Sequence, residues 1–259
     1  MAKKRSSRTT VGSPLTPTLL GELGALGRLA TTAGTFKADG DWLNKYRIWT
    51  CHGYRERGND NVGWLRIERT VRGPKGSFIL KVRQEVLQTD RLLNVIDVAI
   101  RALNKQPPSL VEWQLSSRFI GPDQRRKNEL EVVEKGAVDR NRMTVTTAGH
   151  THKREVPGAL MCDWCLFEAV QRLGFDEKPA LTFNLLEGLS VLKEDQQLLY
   201  RGGHRMKING KDVSLHRFDQ LGRGILPCEY WLDDRHRLLM VTSMNKAYIL
   251  DDQAEKAIR

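Results

Sequence analysis

Short turns set between alternating apolar runs constrain this chain more than any other feature. Arg205-Met206-Lys207-Ile208 and Lys211-Asp212-Val213-Ser214-Leu215 flank Asn209-Gly210, a dipeptide that tolerates the positive φ angles of a type I′ turn. Two strands joined in that way pair antiparallel. Residues 64–71 and 77–83 flank Gly73-Pro74-Lys75-Gly76 in the same manner, and residues 230–232 and 238–242 flank Asp233-Asp234-Arg235-His236. The C-terminal third therefore reads as a meander.

Residues 93–103 have the apolar density of a buried helix, but Ile96, Val98 and Ile100 alternate and are β-branched, which favours a strand. Pro107-Pro108 ends it. Residues 110–119 read as another strand, and 128–133 and 142–147 as shorter ones. Only residues 159–173 read as helix: Val156-Pro157-Gly158 precedes them, apolar side chains recur at Trp164, Phe167, Val170 and Leu173, and Gly174 stands at the end. The expected fold is mainly β, a curved antiparallel meander (a β-roll or open barrel) with one packed α-helix near 159–173. One domain spans 39–253 behind a basic leader, 1–38.

The formal charge of +11 raises the question of nucleic acid, because clustered Lys and Arg release counterions on meeting phosphates. Distribution decides against it. Residues 1–34 hold Lys3, Lys4, Arg5, Arg8 and Arg28 against Glu22, a net of +4 that leaves +7 for the rest. There the basic residues mostly alternate with acidic or apolar ones, as on a solvated strand face. The one dense cluster, Arg125-Arg126-Lys127, follows the loop signature Gly121-Pro122-Asp123.

No apolar run of about 18 residues exists, so a spanning helix is excluded. The leader has the order of parts of an export signal: a basic start through Arg8, an apolar stretch from Leu15 to Leu29, then Ala30-Thr31-Thr32-Ala33-Gly34. Pro14, Pro17, Glu22 and Arg28 interrupt its apolar stretch, which makes it a degenerate signal. The alternative is a disordered basic tail with a short amphipathic helix from Leu19 to Leu29.

From about Asp41 to Asp252 the layout resembles a bacterial exported family, domain of unknown function 3108. The resemblance is carried by Tyr46-Arg47-Ile48-Trp49 in an early strand, the mid-chain helix at 162–173, Leu181-Thr182-Phe183-Asn184-Leu185-Leu186, and above all the closing hairpin at 225–239. It implies a spiral antiparallel β-roll and a periplasmic or envelope location, the alternative being cytoplasmic. It implies no catalytic residue.

Cys162-Asp163-Trp164-Cys165 is the one short motif with chemical content. Cysteines three apart on a helix share a face, as a redox pair requires, and a place near a helix start lowers a thiol pKa. A thioredoxin-like reading also needs a preceding strand in a βαβ frame, and residues 149–160 predict a loop or short antiparallel strand. Buried free thiols or a disulfide are the alternatives. A zinc site would need Cys51 and Cys228 brought to the pair. His150-Thr151-His152 puts two imidazoles on one strand face, but Lys153-Arg154 beside them repels a cation. Neither a metal nor a cofactor is expected. Nucleophile and phosphate-loop motifs are absent.

Of six tryptophans, Trp49, Trp64, Trp113 and Trp231 fall on predicted strands, where they fill a core or line an apolar groove. A helix laid across a concave sheet encloses such a groove. The functional expectation is thus a non-catalytic exported or envelope protein that binds an apolar small molecule or an envelope component. The alternative is a thiol redox or metal-binding protein using Cys162 and Cys165.

Overall fold

The computed structural model describes residues 15–29, 36–51, 59–72, 76–88, 90–176, 181–208 and 210–256. Fifteen strands form one sheet. The first eight are β1 (Trp42–Thr50), β2 (Asp60–Arg72), β3 (Ser77–Leu87), β4 (Leu93–Leu103), β5 (Ser109–Ile120), β6 (Arg126–Asp139), β7 (Arg142–Thr147) and β8 (His150–Glu155). The rest are β9 (Leu160–Cys162), β10 (Leu181–Glu187), β11 (Val191–Ile208), β12 (Lys211–Leu221), β13 (Cys228–Leu232), β14 (Leu238–Ser243) and β15 (Lys246–Leu250). The helices are α1 (Pro17–Glu22) and α2 (Asp163–Ala169), with 3-10 turns at Ala25–Arg28, Val170–Arg172 and Ala254–Lys256.

The sheet is two meanders joined back to back. β1 pairs with the last strand, β15, so that β2 to β8 run outward on one side and β14 to β9 on the other. Every neighbouring pair is antiparallel except β9 with β10. The fold is the predicted curved, mainly β architecture. The predicted hairpins pair as expected, Arg72 with Ser77, Ile208 with Lys211 and Leu232 with Leu238. Gly210 adopts φ +76°. Residues 73–75 and Asn209, which belong to two of the turns, lie outside the described residues, as do residues 1–14 and 30–35 of the leader.

Three local expectations need correction. The helix begins at Asp163 rather than Ala159, because residues 160–162 form β9, whose parallel ladder with Asn184, Leu185 and Leu186 takes up their backbone groups. The strand predicted at 128–133 is part of the much longer β6, which bulges against β5 between Ser117 and Phe119. Arg126 and Lys127 therefore open a strand and only Arg125 belongs to the turn.

The concave face carries the core. A row across the sheet runs Arg69, Leu80, Ile100, Trp113, Gly136 on successive strands. Gly136 is required: a Cβ there would lie 2.0 Å from the Trp113 ring. A second row runs Ile48, Tyr248, Val241, Tyr230, Phe218, Tyr200.

α2 lies within this curve. Phe167 meets Tyr46 and Tyr248 edge-on, each with centroids 5.3 Å apart, and Tyr230 at 6.3 Å, a geometry that adds to simple burial. Behind it, Glu168 bonds Arg69 at 2.9 Å and Arg172 at 2.7 Å, with the Arg69 and Glu168 side chains fully buried. The Arg69 guanidinium also donates to the carbonyls of Asp39 and Gly40 and to Asn104. A charge so enclosed tolerates removal from water only when all its donors are satisfied.

Residues 15–29 of the segment read as a leader pack onto the fold, with Leu15, Leu20, Ala25 and Leu26 buried. Arg47, itself paired with Asp251 at 2.8 Å, donates to the Ala25 carbonyl. The second meander reaches the first across the curve, where its edge strand β9 lies against β5, and Val156 N–H donates to the Asn141 carbonyl at 2.7 Å to close the end of the β7–β8 hairpin.

Candidate functional site

The curve of the sheet and α2 enclose a cavity of about 500 Å³. Its helical wall is Asp163, Trp164 and Phe167, positions i, i+1 and i+4 on one side of a single turn. Ile96 and Leu115 close it from the first meander, and Tyr230, Val241 and Tyr248 from the second. Asp163, Glu187 and Lys246 contribute its charges, with Ser243 and Asn245 of the β14–β15 turn beside them. Glu187, Asn245 and Lys246 are exposed, which makes this charged end the mouth.

Local structure fixes these groups. Asp163 is the first residue of α2, where a carboxylate faces the positive end of the helix dipole. Its Oδ2 accepts the Gly188 N–H at 2.6 Å, tying the helix start to the β10–β11 turn. Burial pushes the Asp163 carboxyl up to about 6, opposed by that bond and by the charge of Lys246. Lys246 sits where Ser243 Oγ closes the hairpin, accepting from its N–H at 3.2 Å and donating to its carbonyl at 3.0 Å. Its ammonium is held charged first by Tyr248 and then, against desolvation, by Asp163 and Cys228. Asp163 and Lys246 form no ion pair with each other among those of the described residues, though each shifts the titration of the other. Burial pushes the Cys228 thiol up to about 11 and the Tyr230 hydroxyl, which donates to Gln220 Oε1 at 2.9 Å, well above its usual range.

The predicted site residues lie around this cavity rather than along it. Cys162 caps α2 and Cys165 follows one turn on, with the two Sγ atoms 3.5 Å apart and both residues fully buried. The frame that the sequence reading found lacking is present in part, since β9, α2 and β10 make a parallel strand-helix-strand unit. Burial raises the Cys162 thiol well above its ordinary value, the opposite of a reactive thiolate. All four cysteines are free, Cys51 is buried elsewhere in the core, and Cys228 is in the cavity wall. Among the described residues, no group of three or more His, Cys, Asp or Glu is arranged to hold a metal. His150 and His152 stand exposed on β8.

None of the four singled-out tryptophans lines the cavity. Trp113 is in the core, its Nε1 donating to Glu134 at 2.8 Å. Trp231 is on the opposite face of β13 from Tyr230, donating to Thr242 Oγ1 at 3.2 Å under the Arg217 guanidinium. Trp64 is buried off the concave face, aligned with Arg47 and Glu85. Trp49 is half-buried next to a register shift. The tryptophan of the cavity is Trp164, and the signal for it was its position between the two cysteines at the start of a helix.

No family model matches the chain, and no curated protein does. A solved structure described as a beta-barrel-like protein of domain of unknown function 1849 from Brucella abortus is similar to it at 9% identity, with a TM-score of 0.49, covering 82% of this chain and 95% of that one. No helix of the described residues is long and apolar enough to cross a membrane.

Proposed function

We propose that the protein is a non-catalytic binding module whose concave cavity takes a small, largely apolar molecule. The observation that carries this reading is the enclosure of about 500 Å³ between α2 and the sheet, with aromatic and aliphatic walls and charges gathered at one end. Pockets of small-molecule binders fall in the range of about 300–1,000 Å³ with a few placed polar groups. Desolvation pushes the half-buried Cys228 thiol up to about 11, which disfavours the thiolate that a nucleophile at this site would need.

The test is a saturable titration with the neutral fluorophore N-phenyl-1-naphthylamine, before and after Ile96→Trp, a change that fills the cavity from a half-buried wall position. One-to-one binding that Ile96→Trp abolishes while the melting curve is kept supports the module. Emission that does not saturate, or binding that Ile96→Trp leaves intact, refutes it.

In the same reading the protein is exported to the bacterial envelope, where the occupant is a free apolar molecule or an envelope component. The order of parts in the leader and the resemblance of the 225–239 hairpin to domain of unknown function 3108 support this. Cleavage near Gly34 would remove Leu15, Leu20 and Leu26 from the core. Mass spectrometry of the protein from its own cells decides the matter: a start near residue 34 supports export, and an intact Met1 or Ala2 start refutes cleavage.

A further inference from the structure

The mouth of the cavity holds charges of both signs that do not neutralise each other. The Asp163 carboxylate spends one oxygen on Gly188 N–H. The Lys246 ammonium stands 6.0 Å from the centre of the Tyr248 ring and is engaged by the Tyr248 side chain rather than by a carboxylate, while Ser243 holds only its backbone. The two are too far apart for an ion pair among the described residues and near enough to feel each other's charge. Glu187, whose carboxylate is 3.6 Å from Lys193, adds a second acid on the side of Asp163. Beyond these groups the walls are aromatic, Trp164, Phe167 and Tyr248.

A purely apolar ligand would leave this arrangement unused, and a singly charged one would satisfy one side and face like charge on the other. A head bearing an ammonium next to a carboxylate matches both at once, since each ionic hydrogen bond is charge-assisted on both partners. Resting on the binding-module reading above, we infer that the cavity takes a small zwitterion with an apolar body, an aromatic or bulky aliphatic α-amino acid, whose ammonium faces Asp163 and whose carboxylate faces Lys246.

Four probes that share one body separate the contributions of the head: L-tryptophan, tryptamine, indole-3-propionate and tryptophol. Calorimetric titration of the full chain should rank L-tryptophan first, with each analogue about tenfold or more weaker, the loss expected for one charged hydrogen-bond partner. Lys246→Met should bring L-tryptophan down to the affinity of tryptamine. Asp163→Asn, which keeps an oxygen for Gly188 N–H, should bring it down to that of indole-3-propionate. Melting curves establish that both variants are folded. Equal affinity for all four probes overturns the zwitterion assignment and leaves the apolar module standing. Absence of L-tryptophan binding, or discrimination that both variants preserve, also overturns it, whereas loss of the neutral fluorophore test overturns the module itself.

Discussion

Glu168→Gln isolates the anchor that holds the cavity's helix in place. The substitution keeps the size of the side chain and an oxygen acceptor, but it removes the charge shared by Arg69 and Arg172, bonded at 2.9 and 2.7 Å. The Arg69 side chain is 0% exposed and that of Arg172 13%. Arg69 cannot rotate into water to recover solvation. Breaking a buried pair by removing one partner costs about 3–5 kcal/mol, because an uncompensated charge stays behind. The remaining Arg69 bonds to Asp39, Gly40 and Asn104 satisfy its donors without neutralising it, which places the expected loss inside that range.

Against a total stability of about 5–15 kcal/mol for a chain of this kind, and about 2–4 °C per kcal/mol, the midpoint of thermal unfolding should fall by roughly 6–20 °C. Urea and thermal melts followed by circular dichroism measure it. The control is Glu112→Gln in the Arg101–Glu112 pair, whose 2.8 Å contact is just as short but whose side chains are 40% and 57% exposed. That pair should be worth less than about 1 kcal/mol. Equal losses for the two variants, or a loss below about 1 kcal/mol for Glu168→Gln, would refute the reasoning that burial rather than contact distance sets the energy. Because α2 presents Asp163, Trp164 and Phe167 to the cavity, Glu168→Gln should also weaken fluorophore binding.

Phe167→Ala removes a ring packed among Tyr46, Tyr230 and Tyr248 and should cost about 3–5 kcal/mol in urea melts; a loss under about 1 kcal/mol would mean that α2 is not seated in the sheet. The Asp163 carboxyl, raised to about 6 by burial with Glu187 adding to the rise and Lys246 opposing it, lies above its value near 3.9 in the unfolded chain. Its contribution to stability is therefore full below about pH 4 and disappears as pH rises through about 6, so the stability of the protein relative to Asp163→Asn should fall between those limits; a relative gain over the same range would reverse the assignment. Cys162 and Cys165 should resist a thiol reagent until the chain is unfolded, and Ser at both should leave fluorophore binding in place at a cost of about 1–3 kcal/mol per buried hydroxyl; rapid labelling of the native protein would favour the redox alternative. Leu20→Ala, in the segment ahead of β1, should cost about 2–5 kcal/mol if that segment belongs to the fold, and an unchanged melt would return it to the status of a dispensable leader.

Local signals carried the sheet and missed what depends on distant partners. Asn209-Gly210 predicts the β11–β12 hairpin because turn geometry is decided by the residues in the turn. The alternating β-branched side chains of 93–103 predict β4 for the same reason, since a pleated half-buried face selects them. The start of α2 was misplaced because residues 160–162 owe their strand to β10, more than twenty residues on. Apolar density alone reads the same in a helix and in a buried strand. The closure of β1 onto β15 leaves no trace at either strand taken alone, although it is what puts Tyr248 opposite Ile48 and so builds the aromatic row.

The candidate site was hidden by a different cause. Cys162-Asp163-Trp164-Cys165 draws attention to its cysteines because their chemistry is the rarer one, yet on a helix the residues between an i, i+3 pair face elsewhere than the pair itself. Here the sulfurs turn into the core, where burial disables them, and the intervening carboxylate and indole turn to the cavity. The same geometry makes a sharp distinction available to experiment. Chemistry at this motif that depends on Cys162 and Cys165 must fail when both are Ser, whereas recognition through Asp163 and Trp164 must survive that change and weaken on Asp163→Asn. The substituted positions all lie within one turn at the start of α2, so a shared disruption of α2 would lower both readouts together, and only opposite outcomes assign the function to one face of the helix.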